Sequence, residues 1–165
     1  SRFKKRNDFK ILNETKALHQ KKKDLTKIQI IEFSILFIIL NNLEIASERI
    51  EELSKIEFMS EKNESLKNIL ISLISEGIDK SSIFTKLDKS YKKIIEEINE
   101  NSNIQIIVQN KSNQDILDLI EDLIQNHNDQ SSLRKIESLE KKLINNLDEN
   151  SFSELIKLKS QLNGE

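Results

Sequence analysis

At 165 residues the chain has room for one ordinary domain that buries a core of its own. It has no cysteine, which excludes disulfides and thiolate zinc sites, and with no proline and only two glycines the residues that stop helices are nearly missing. Its formal charge of -2 is uneven, +7 over residues 1–23 and -9 over the rest, which disfavours a duplex-binding body and points to protein partners.

Residues 1–23 have no sustained hydrophobic period and read as a basic flexible linker or tail. From Thr26 onward Ile28, Ile31, Ile35, Leu36, Ile38, Ile39 and Leu40 cover more than one face, while Glu32 and Ser34 open a narrow polar strip. This predicts a central helix surrounded on most sides and ending at Asn41 and Asn42. A second helix turns Ile45, Ile50 and Leu53 inward, and Ile56 and Phe58 sit in the connection behind it. Ser60 can cap a third helix bearing Leu66, Ile69, Leu70, Leu73 and Ile74, with Gly77 as its stop. Asp79 can cap a short fourth helix carrying Ile83, Phe84 and Leu87, and a fifth begins near Tyr91 with Ile94, Ile95 and Ile98. The β-prone run NIQIIVQN, 103–110, would be an isolated strand without a partner, so it reads as a connector. The bundle core is expected to hold Ile35, Leu36, Ile39, Phe58, Ile69 and Leu73.

Ser112 followed by Asp115 resembles a capped start. One long helix is predicted from about Asn113 to Asn146, crossing the polar run QNHNDQSSLR, with a break near Ser131 as the alternative. NLDENS makes a tight turn, and Ser151 with Glu154 three residues on is a capping box for the last helix. The fold class is therefore all-α: an N-terminal helical bundle over 24–111, a connecting helix over 112–132 and a C-terminal antiparallel hairpin over 133–163. The hairpin's inner seam can use Ile136, Leu139, Leu143, Leu155 and Leu158. Ile144, Leu147, Phe152, Ile156 and Leu162 are left as candidate exposed anchors for a partner.

Chemistry is thin along the chain. His19 lies in the tail and His127 in a polar stretch, each without a nearby nucleophile, so a solvated or supporting role is the plain reading. Asp115, Asp118, Glu121 and Asp122 line one helix face, which reads as solvated, since hard metals need convergent oxygens. No glycine-rich phosphate loop, nucleophile elbow or metal-ligand spacing occurs, so no cofactor, no metal and no enzymatic activity are expected of this chain. Phe3, Lys4, Lys5, Arg6, Phe9 and Lys10 suit a weak grip on single strands, but a flexible linker explains them more simply. No stretch has the roughly 20 apolar residues that span a bilayer, and no signal peptide opens the chain, so no membrane partner is expected. The start without Met reads as a cut from a longer protein.

The segment EFSILFIILNNLEIASERIEELSKIEF, 32–58, resembles the helicase-binding C-terminal domain of bacterial DnaG-type primases. The phrases that carry the likeness are Glu32, Asn42, Glu44 with Ile45, and Ile56, Glu57 and Phe58. The C-terminal third is similar to the long helix and terminal hairpin of the α-proteobacterial branch, including a histidine in mid-helix, here His127. Leu43 stands where that family usually has proline. The resemblance implies a non-catalytic adaptor that binds the replicative helicase, a DnaB-type hexamer, couples primer synthesis to the fork and modulates helicase activity. The primase's RNA-polymerising parts would lie upstream, in a bacterial cytoplasm. Some members also take the acidic tail of single-strand-binding protein at basic residues of the first helix. Here only Lys27, Lys92 and Lys93 offer such charge, so this partner is the lesser expectation. Two rivals stand beside this one: the N-terminal domain of the helicase itself, and a helical regulator that self-associates.

Overall fold

A computed structural model describes residues 25–145 and 149–164. The basic segment 1–23 and the candidate anchor Leu147 lie outside the described residues. Among the described residues there are nine α-helices and no strand. They are α1 (Lys27–Asn41), α2 (Leu43–Glu48), α3 (Ile50–Lys55), α4 (Glu61–Ser75), α5 (Lys80–Lys86), α6 (Lys92–Glu100), α7 (Ser102–Val108), α8 (Asn113–Asn145) and α9 (Glu149–Leu162), with a 3-10 turn at Lys89–Tyr91.

Helix α1 starts at a reciprocal capping box: Gln29 N–H donates to Thr26 Oγ1, and Thr26 N–H donates to Gln29 Oε1. It is buried nearly all round, through Ile35, Leu36, Ile38 and Ile39, and α2, α4, α6, α7 and α8 pack against it. The polar strip of Glu32 and Ser34 faces the interior. Both residues are buried, Ser34 because its hydroxyl donates to Ile30 O one turn back, at 2.7 Å. Of the expected core residues, Ile35, Leu36, Ile39, Phe58 and Leu73 are buried, and Ile69 is half-buried against the same cluster.

The helix predicted after Asn42 is two short helices, interrupted at Arg49, whose φ of -116° and ψ of 23° leave the helical range. Helix α4 begins at Ser60, whose Oγ accepts from Asn63 N–H, and ends at Gly77 with φ +72°. There Gly77 N–H donates to Ile74 O and Ile78 N–H to Leu73 O, the paired bonds of a Schellman ending. Asp79 caps α5 through Ser82 N–H.

NIQIIVQN is not a connector but most of a helix, α7. Asn101 caps it by accepting from Asn103 and Ile104 N–H, and Ile104 is buried against the bundle. With no strand beside it, the backbone satisfies its polar groups as a helix despite β-prone side chains. Ser112 and Asp115 exchange bonds at the start of α8, which runs 33 residues without a break at Ser131. The last helix begins at Glu149, so Ser151 lies inside its first turn rather than at its cap; Glu149 itself suits the positive end of the helix dipole.

Helix α8 serves two cores. Ile116, Leu117, Ile120 and Leu123 belong to the bundle cluster, so the first third of α8 is part of the bundle and not only a connection. Ile136 and Leu139 form a second, smaller cluster with Leu155 of α9. Helix α8 runs antiparallel to α1, since Asn113 lies beside Asn41 and Asn42 while His127 reaches Glu32.

Candidate interaction surface

Two features deserve a functional reading: the outer side of the α8–α9 pair, and a buried polar network inside the bundle.

The seam between α8 and α9 is filled by Ile136, Leu139 and Leu155, with Leu143, Leu158 and Leu162 packed against them. Leu162 is thus part of the seam, which corrects its expected place among the exposed anchors: it lies one helical turn past Leu158, on the same stripe. Ile144, Phe152 and Ile156 are not in the seam; they are 84%, 55% and 51% exposed. The ion pair between Lys159 Nζ and Glu140 Oε1, at 2.9 Å, shows which flanks of the two helices share a side. Phe152, Ile156 and Lys159 follow one another at four- and three-residue steps, as do Leu133, Glu137, Glu140 and Ile144. One side of the pair therefore presents Ile144, Phe152 and Ile156 around the ion pair, with Leu133, 44% exposed, further along α8. No other described element packs over this side at more than isolated points.

The buried network centres on Glu32. Its Oε1 accepts from Met59 N–H at 2.5 Å and lies 3.2 Å from His127 Nε2, and its Oε2 accepts from Asn63 Nδ2 at 2.9 Å. Burial alone would raise the Glu32 pKa; the bonds from His127, Asn63 and Met59 and the charge of His127 outweigh it and hold the carboxyl below 4.5. Beside it Lys67, also buried, donates to Ile56 O, pairs with Glu64 at 3.0 Å and lies 5.0 Å from the centre of the Phe58 ring. Glu64 in turn accepts from Phe58 N–H at 2.7 Å. Burial pushes its pKa up, but the Phe58 bond and Lys67 win and lower it. The Phe58 ring meets the His127 ring at 5.5 Å.

His127 is 1% exposed, which leaves the supporting role open to it and not the solvated one. The missed signal was position. Ile116, Ile120, Leu123 and His127 are spaced four, three and four apart, so the histidine ends an apolar stripe. The network gathers residues that carry the family resemblance: Glu32 on α1, Ile56 and Phe58 before α4, and His127 on α8. Asn42, Glu44 and Ile45 lie elsewhere, at the turn between α1 and α2.

Glu32, Asn63, Lys67 and His127 are buried and bonded within the network, and Glu64 stands at its partly exposed edge. The other carboxylates with lowered pKa are helix or turn caps: Asp79 is held down by Ser82 and Ser81, Asp88 by Ser90, and Asp115 by Ser112. Asp118, Glu121 and Asp122 are exposed on α8, and among the described residues no three acidic or histidine groups converge to hold a metal ion. No helix among the described residues is long and apolar enough to cross a membrane. His19 lies outside the described residues. Comparison of the chain with protein-family models, with curated proteins and with solved structures found no match.

Proposed function

We propose that this chain is a docking adaptor: the helicase-binding C-terminal domain of a DnaG-type primase, acting by binding and not by catalysis. The observation that carries the reading is the uncovered apolar side of the α8–α9 pair. Ile144, Phe152 and Ile156 stand in solvent although the seam beneath them is already filled by six other side chains, so their apolar surface is not spent on holding the pair together. An aromatic side chain flanked by aliphatic ones and an ion pair has the make-up of an interface anchor with a polar rim. Sequence likeness supplies the partner: the phrases at 32–58 and the histidine in mid-helix resemble the primase domain that meets a DnaB-type hexamer. In this reading the bundle and its buried network support the hairpin.

Sedimentation of the chain with and without the cognate replicative helicase tests this. The expected result is co-sedimentation with the hexamer. Stable self-association of the chain without helicase binding overturns it in favour of a self-associating regulator.

A further inference from the structure

The buried residues of α8 fall into two groups. Ile116, Leu117, Ile120, Leu123 and His127 face the bundle, Ile136 and Leu139 face α9, and no residue from 128 to 135 is buried. That span, half-buried at 129–132 and exposed elsewhere, is about 12 Å of helix, at 1.5 Å per residue. Its sequence, NDQSSLRK, includes Asn128, Asp129, Ser131 and Ser132, which favour helix less than most residues and have neither core behind them. His127 is the last side chain by which α8 is buried in the bundle before this span begins.

The geometry points to the Glu32–His127 contact as a latch that fixes where α8 leaves the bundle, so that the hairpin moves as an arm pivoting over 128–135. Leu123, one turn earlier on the same stripe, is held only by apolar packing, which tolerates sliding. His127 is held by a directed bond to a carboxylate that Met59 N–H and Asn63 also fix in place, and by the Phe58 ring. Glu32, Lys67 and Glu64 are the charged groups around this contact, and Lys67 is turned away onto Ile56 O and Glu64, which leaves Glu32 to His127. With the bond intact, opening of α8 stops at His127. Without it, opening runs back into the bundle stripe. The latch acts whatever the hairpin binds.

Amide hydrogen exchange on the full chain reads the latch directly. In the unaltered protein, protection is expected to fall sharply after residue 127 and to recover from 136. Protection that is even along α8, or that falls already from about residue 120, overturns the proposal. In His127→Phe, which keeps a ring against Phe58 and removes the bond, amides of 120–127 are expected to exchange about tenfold faster or more, with a clearly smaller acceleration of the α4 amides of 66–73. His127→Gln, which restores a donor, should recover part of that protection. Unchanged exchange at 120–127, or equal acceleration in α4, contradicts a latch and leaves His127 an ordinary core residue.

Discussion

Replacing Glu32 by Ala removes the acceptor on which three bonds from other parts of the chain converge. Met59 N–H arrives from the connection before α4, Asn63 Nδ2 from α4 itself and His127 Nε2 from α8. A buried donor left without an acceptor costs about 1–3 kcal/mol. Three donors that share one site do not add in full, so the expected destabilisation is about 4 kcal/mol. Against a total of about 5–15 kcal/mol for an ordinary domain, that is a large share. Glu32→Gln should be far milder. It keeps an oxygen for Met59 and His127, and its new amide N–H can meet Asn63 Oδ1, which has no partner among the described residues, once the Asn63 amide turns over. About 1–2 kcal/mol is expected there. Urea unfolding followed by far-UV circular dichroism, with equal m-values required, gives both numbers. An Ala variant within about 1 kcal/mol of the parent, or a Gln variant as damaged as the Ala one, refutes the network's role.

Acid should act through the same carboxylates. The Glu32 and Glu64 pKa values lie below 4.5 in the folded chain, so the stability they contribute is complete above pH 4.5 and is lost as pH falls through the folded values. Urea midpoints measured downward from pH 4.5 should fall more steeply in the parent than in Glu32→Gln; parallel curves contradict this. Gly77→Ala meets no atom within 4 Å but must keep φ +72°, so it should cost about 1 kcal/mol from backbone strain alone. An unchanged thermal midpoint means that the Schellman ending relaxes freely.

Most of the helices were legible because their signals are local. Ser60, Asp79 and Ser112 cap where their side chains suggested, and Gly77 ends α4 with the positive φ that glycine adopts without cost. Tertiary context decided the rest. Ile104 turned a β-prone run into a helix by burying itself against the bundle, and Arg49 interrupted a pattern with no breaker in it. The contact between Glu32 and His127 was not legible: each is a polar residue on a stripe of apolar ones and finds its partner 95 positions away. Pairing at that separation is invisible to any window of sequence. On the hairpin, the seam follows from spacing alone, but which side of it stays uncovered needed the Glu140–Lys159 pair, and Leu162 fell on the seam side.

The most direct test of the docking reading is the affinity of the chain for the replicative helicase hexamer before and after Phe152→Ala with Ile144→Ala. Both side chains lie outside the seam, so the variant should keep its thermal midpoint, yet lose at least about tenfold in affinity, or about 1.4 kcal/mol. Binding that survives at full strength in the folded variant contradicts the assignment of this face to the helicase.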